Sequence, residues 1–192
     1  MAKRDLRSEG KIKAFGASVE SVEEGLHCLN VEGINSLQII FNVFRQKPIQ
    51  ELLPEAERRG VSIIVRLPLA SGLLAGKWTH DSQFVETDHR NFNADGQAFN
   101  GETFAGLPFE KGLELVDQLR QWVPADCPMS EWAIRWCLDF PAVTTVIPGA
   151  TRVEQVRSNA NASARPRITP TVHEHLAEFY KNHVAANIRG KY

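Results

Sequence analysis

Thr144-Thr-Val-Ile-Pro-Gly-Ala-Thr-Arg-Val-Glu-Gln-Val-Arg-Ser-Asn159 passes from strand chemistry to helix chemistry with only a short turn between. The β-branched run 144–147 suits a strand, and Pro148-Gly149 ends it. Gly149 permits an unusual backbone angle and the close approach of a ligand. Thr151 followed three residues later by Glu154 has the pattern of a capping box, which starts a helix near Arg152 and leaves N–H groups and the positive dipole end facing outward. An anion belongs there. Gln155 and Asn159 lie four apart on one helical face, with Arg152 and Arg157 near enough to add charge. The same letters also fit an ordinary capped helix carrying two surface amides.

Outward from this block the chain alternates between the two periodicities. Residues 12–18 and 62–67 are short apolar runs of strand length, suited to parallel strands buried on both faces. Ser21 with Glu24 forms a second capping box and opens a helix carrying Leu26 and Leu29, while Ile49, Leu52, Leu53 and Ala56 keep helical spacing until Arg59-Gly60. The stretch 78–108 is rich in Asn, Asp and Gly, lacks either period, and is too long for an idle connector. Leu113, Val116, Leu119 and Trp122 then mark a helix, residues 130–139 another, and Thr169-Pro170 the start of a last one with Pro in its first position. The expectation is an α/β fold of about four parallel strands with outer helices.

Composition bounds the function classes. A chain of 192 residues with 43% hydrophobic content can bury one core as a single domain, 1–192, but falls short of the roughly 250 residues of a closed (β/α)8 barrel. The net charge of −1 with dispersed basic residues excludes nucleic acid as the expected partner. No apolar run is long enough to cross a membrane, and Met1-Ala-Lys-Arg-Asp offers no apolar core for a secretory signal, so a cytoplasmic location is expected. Cys28, Cys127 and Cys137 form no CxxC and leave an odd count, which argues against a disulfide scaffold or a zinc site; no metal ligands are assigned. Cys137 reads as a small buried side chain.

Four blocks in order resemble the C-terminal half of aldo-keto reductases, the NADP(H)-dependent (β/α)8 barrel oxidoreductases. Glu9-Gly-Lys-Ile-Lys-Ala-Phe-Gly-Ala-Ser18 resembles the fifth barrel strand, and Leu37-Gln-Ile-Ile-Phe-Asn42 the sixth. Arg66-Leu-Pro-Leu-Ala-Ser-Gly-Leu-Leu-Ala-Gly-Lys77 resembles the seventh strand with its pyrophosphate loop, and the block quoted first resembles the eighth. Asp88-His-Arg90 and Trp132-Ala-Ile-Arg-Trp136 match family patterns between them. The resemblance implies a partial, half TIM barrel built from strands five to eight, with the 78–108 loop lying on the cofactor side.

It also implies a cofactor site. Ser18 corresponds to the serine near the nicotinamide carboxamide, although the Asn that often follows it is Val19 here, and Gln38 to a cofactor-contacting glutamine. Arg66 stands where many members stack an aromatic ring, and a guanidinium can lie over a ring or reach a phosphate. Pro68, Leu69, Ser71, Gly72, Leu74 and Lys77 follow the pyrophosphate loop; Gly149, Thr151, Gln155 and Asn159 match the adenosine-phosphate block, with Arg157 as partner for a 2′-phosphate. The family's Asp, Tyr, Lys and His tetrad belongs to its first four strands, and nothing here corresponds to it. Tyr180 and Tyr192 both lie in the tail, where no strand end is expected to present them, and the six histidines read as structural. No catalytic residue is therefore assigned, and the chain reads as the cofactor-binding half of an enzyme, inactive alone. Its opening Arg4-Asp-Leu-Arg-Ser-Glu-Gly-Lys-Ile resembles the end of the fourth barrel helix, which suits a truncated frame or a deliberate half-barrel. The expected partners are the nicotinamide cofactor, a small carbonyl substrate, and either a second copy or a complementing N-terminal half-barrel that covers the open sheet edges.

Overall fold

The computed structural model describes residues 2–88, 90–91, 103–190 and 192. Helix α1 (Ala2–Ser8) leads into strand β1 (Gly16–Ser18), followed by α2 (Val22–Cys28), β2 (Ser36–Ile40), α3 (Leu52–Arg58) and β3 (Ser62–Arg66). After the long loop come α4 (Phe109–Leu119), α5 (Met129–Leu138), β4 (Val143–Val146), α6 (Val153–Asn161) and α7 (Pro170–Phe179), which runs into a π-turn, Tyr180–Val184. The four strands form one parallel sheet in the order β1-β2-β3-β4.

Alternation along the strands decides which face is covered. Leu37 and Ile39 of β2, Ile63 and Val65 of β3 and Val143 of β4 are buried, and helices α3 and α5 pack on this sheet. Each such side chain contributes about 1.5–3 kcal/mol on leaving water. A ring cluster extends the core above them: Phe41, Trp136 and Phe140 have centroids 4.9, 5.1 and 5.0 Å apart. Cys137 lies fully buried beside Phe41, and burial raises its thiol pKa well above the ordinary value. The alternate positions Ser36, Gln38, Ser62, Ile64 and Arg66 face the other way and are only half-buried.

Caps behave as the sequence predicts in two places. Ser21 accepts from the Glu24 N–H at the start of α2, and Thr169 accepts from the Val172 N–H at the start of α7. Elsewhere the chain departs from expectation. Strand β1 is shorter than the 12–18 run because Asn35 replaces a strand partner at Phe15: its Oδ1 accepts from the Phe15 N–H and its own N–H donates to the Phe15 carbonyl. The 78–108 stretch is not uniformly a polar loop. His89 and residues 92–102 lie outside the described residues, but 103–107 are buried. Phe104, Ala105 and Gly106 form a single left-handed turn with φ of 54°, 57° and 81°. Phe104 joins Trp78, Phe84 and Phe109 in an aromatic cluster that outweighs the backbone cost of such angles.

The sheet is open. In this sheet β1 and β4 each have one neighbour. Thr144 and Thr145 are exposed, α6 buries none of its residues, and Ile147, Val153 and Val156 are 48%, 61% and 57% exposed. Among the described residues no helix is long and apolar enough to cross a membrane.

Candidate functional site

Parallel strands bring their C-terminal ends to one edge of the sheet, and most of the site residues read from the sequence lie on or just beyond that edge. Ser18 pairs in register with Gln38, and the Gln38 amide donates to the Ser18 hydroxyl at 3.2 Å. Arg66 pairs in register with Ile40 and closes β3. Its guanidinium binds Glu20, just beyond β1, at 2.6 Å, with the Arg66 side chain only 14% exposed. The Ile147 N–H donates to the Val65 carbonyl at 2.9 Å, which sets the turn after β4 beside the end of β3. The sequence pattern omitted Glu20; a carboxylate two residues beyond a strand that faces a neighbouring arginine was the available signal.

The loop after β3 is wound tightly. Leu67, Ala70 and Ser71 have φ of 51°, 48° and 55°, and Gly72 has 98°. The Gly72 and Leu74 N–H groups both donate to the Leu69 carbonyl, and Asn42, wholly buried, donates from its amide to the Leu67 carbonyl at 2.9 Å. Pro68 is buried and Leu69 half-buried, and Leu74 sends its side chain into the core, so what it offers a ligand is backbone. Lys77 is exposed. The Ser71 hydroxyl accepts from the Phe104 N–H at 3.2 Å, tying this loop to the left-handed turn. A Cβ on Gly72 would lie 2.6 Å from Trp78 Nε1, a buried donor with no hydrogen-bond partner.

At the start of α6 the structure uses one freedom the sequence allows, open space, but not the other, and it corrects one expectation. Gly149 does not adopt a left-handed angle; it is exposed, with no atom within 4 Å of where a Cβ would sit, so its contribution is open space. The Thr151–Glu154 capping box does not form either. The helix begins at Val153, and the Gln155 side-chain oxygen accepts from the N–H groups of Thr151 (2.7 Å) and Arg152 (3.1 Å) and from the Thr151 hydroxyl. A glutamine folded back on its own helix start satisfies two amides that would otherwise be orphaned. An anion at this end therefore has to displace Gln155. Asn159 is half-buried one turn further on, and Arg157 is exposed.

The tail is closer to this edge than its place in the sequence suggests. The Tyr192 ring stacks on the Arg45 guanidinium at 4.5 Å, just beyond β2, and Lys47 donates to the Tyr192 main-chain oxygen at 2.7 Å. Arg45 is almost wholly buried and its Nη1 has no partner; burial pushes its pKa down to about 10. The Tyr180 and Tyr192 hydroxyls are 2.7 Å apart, and burial raises the Tyr180 pKa well above the ordinary phenol range. Each phenol is thus engaged by the other.

The hydroxyl, amides and guanidinium at the strand ends, the tight loop with an unpartnered indole N–H, and the open turn at Gly149 fit a bound nicotinamide dinucleotide: donors for a carboxamide at one end and for phosphates along the loop. Comparison with known proteins bears on the family. The model of the Aldo/keto reductase family matches residues 1–181. The chain is 30% identical over 162 residues to the NADH-specific methylglyoxal reductase of Escherichia coli, covering 82% of this chain and 46% of that protein. Among solved structures, the glycerol dehydrogenase of Gluconobacter oxydans superposes with a TM-score of 0.74 at 26% identity over 98% of this chain and 55% of that one. An aldo-keto reductase of Bacillus halodurans superposes with a TM-score of 0.67 at 26% identity over 91% and 52%. The chain spans about half the length of the relatives it matches. With its parallel sheet, its wound loop and these matches, the chain belongs to the aldo/keto reductase family.

Proposed function

We propose that this chain is the cofactor-binding half of an NADP(H)-dependent carbonyl/alcohol oxidoreductase, folded as barrel strands five to eight in one domain, 1–192, with the 78–108 loop on the cofactor side. The observation that carries this reading is the joined set at the strand ends: Ser18 bonded to Gln38, with Arg66 held by Glu20 alongside. Ser18 and Gln38 orient the nicotinamide carboxamide, and Arg66 bears on the ring or a phosphate. Pro68, Leu69, Ser71, Gly72, Leu74 and Lys77 line the pyrophosphate. Gly149, Thr151 and Asn159 receive the adenosine phosphates, joined by Gln155 once it swings off the Thr151 and Arg152 N–H groups, and exposed Arg157 receives a 2′-phosphate, which favours NADP over NAD. The bound coenzyme supplies a hydride to a carbonyl carbon; the substrate class is a small aldehyde, ketone or sugar.

The developing alkoxide then needs a proton, and this reading assigns no residue of the chain to that task. Tyr180 and Tyr192 hold each other's hydroxyls, and burial keeps the Tyr180 proton in place. Without an aligned acid the chain alone is expected to be slower by about 10²–10⁴-fold. The tetrad is supplied by a complementing N-terminal half-barrel, and the compartment is the cytoplasm. A second reading, a non-catalytic half-barrel that dimerises, is favoured by the exposed Ile147, Val153 and Val156 beside an open strand. A titration of the purified chain with NADPH and then NADH, following tryptophan fluorescence with solution mass recorded on the same sample, tests both. Saturable binding with NADPH preferred supports the first reading. A folded dimer that binds neither coenzyme would sink it in favour of the second.

A further inference from the structure

Glu131 stands on the first turn of α5, immediately before Trp132, and is 4% exposed. A carboxylate taken out of water is costly unless its oxygens find donors. Here both do: Oε1 accepts from the Ser158 hydroxyl at 2.8 Å and Oε2 from Arg165 Nε at 2.7 Å. Both donors belong to the segment after β4, Ser158 within α6 and Arg165 just past the short turn that follows it. We propose that Glu131 is a positioning residue for the coenzyme site, holding α6 at one rotation about its axis so that Gln155 and Asn159 face the adenosine end. The proposal rests on the reading that puts the adenosine phosphates at α6.

The tie decides the placement because little else holds this helix. None of the α6 residues is fully buried, so apolar packing does not fix it. At about 100° per residue, Gln155 and Asn159 lie roughly 60° and 100° round the helix from Ser158, on one flank, and Val153 and Val156 lie on the far side. Burial follows this division: Gln155, Ser158 and Asn159 are half-buried, and the other residues of α6 are exposed. A helix fixed through Ser158 therefore presents one flank, whereas a helix free to turn presents any.

Arg135, one turn further along α5, secures the far end. Its guanidinium is held by Asp139 at 3.1 Å and donates to the Ser163 carbonyl at 3.3 Å, and Ala162 beside it is buried. The end of α6 is thus anchored whatever Glu131 does, and the Glu131–Ser158 bond governs the part that carries Gln155 and Asn159. Losing that bond leaves a hinged helix that is aligned only for a fraction of the time. The apparent dissociation constant for the coenzyme then rises by the reciprocal of that fraction.

The test is a fluorescence titration of the whole chain with NADPH and with NADH, for the parent, Ser158→Ala, Glu131→Ala, Glu131→Gln and the double alanine variant, together with hydrogen exchange of the coenzyme-free chains. Ser158→Ala and Glu131→Ala are each expected to weaken the preferred coenzyme by about 3- to 30-fold, and the double variant by no more than the larger of the two, since both break one bond. Glu131→Gln, whose amide oxygen still accepts from Ser158, is expected to stay within about 3-fold of the parent. In Ser158→Ala the α6 amides should exchange faster while those of α5 do not change. Ser158 is only half-buried, so this variant keeps the test open should Glu131→Ala not fold. Unchanged affinity in Ser158→Ala, losses that multiply in the double variant, or a loss with α6 exchange unaltered would each overturn the proposal, the last by showing that Ser158 touches the coenzyme itself. A parent that binds neither coenzyme would instead sink the coenzyme reading, and this proposal with it.

Discussion

Gly72 and Gly149 occupy the two loops that flank the candidate site, yet they meet different physical demands. Gly72 combines a φ of 98° with the indole of Trp78 pressed against it, so Gly72→Ala is expected to cost about 1–3 kcal/mol, read as a lowered midpoint in thermal unfolding. Gly149 has an ordinary angle and nothing near its missing Cβ, so Gly149→Ala should leave the midpoint unchanged within about 0.5 kcal/mol. A loss at Gly149 comparable to that at Gly72 would refute this contrast. Arg157, exposed on α6, is expected to set coenzyme preference: Arg157→Ala should shrink the NADPH-to-NADH affinity ratio about tenfold, as loss of a charge-assisted phosphate contact would. An unchanged ratio in paired titrations would remove Arg157 from the site. At this scale Ser18, Gln38 and Arg66 were picked out by the family resemblance alone, and what the strand register adds is that it sets Ser18 beside Gln38 and Arg66 beside Ile40. The sequence was not legible where a rotamer decides, because Gln155 folding back onto Thr151 and Arg152 depends on a side-chain torsion that no spacing encodes.

Helix α3 shows how an element is tied to its neighbour and what acid does to the tie. Glu55 accepts from Arg58 and Arg59, and Arg59 in turn donates to the Leu29 carbonyl at 2.7 Å, joining α3 to the end of α2. The hydrogen bonds from Arg58 and then Arg59 hold the Glu55 pKa down at about 2. Because the folded value is depressed, the folded chain binds fewer protons there than the unfolded one. The contribution is present above the ordinary carboxylate range and lost as pH falls toward about 2. Glu55→Gln should therefore melt below the parent at neutral pH, and the two curves should converge in acid; a gap constant with pH would contradict this. Helices with caps and apolar spacing were readable from the chain, and so were α2, α4 and α7. The short β1 and the buried turn at Phe104, Ala105 and Gly106 were not, since one rests on Asn35 standing in for a strand and the other on an aromatic cluster assembled from distant positions.

For the molecule as a whole, the open sheet sets the expectations. Val153 and Val156 are both exposed on α6, so replacing both with Glu should leave the fold and its melting intact while abolishing association with a complementing half-barrel or a second copy. Mass by light scattering checks this, and undiminished association of the doubly substituted chain would show that α6 is not the contact. Architecture was legible at this scale because a parallel sheet needs crossover helices, and the alternating periods supplied them in order. Which faces stay bare was not, because exposure depends on what else packs there. Those bare edges carry a consequence for how such chains can be recombined. All the proposed coenzyme contacts fall within one uninterrupted segment, and any complement must join through β1, β4 and the helices beside them. On the half-barrel reading proposed above, the segment would be an exchangeable cassette: grafted onto different four-stranded halves with matching edges, it is expected to carry one coenzyme preference into enzymes of different substrate range.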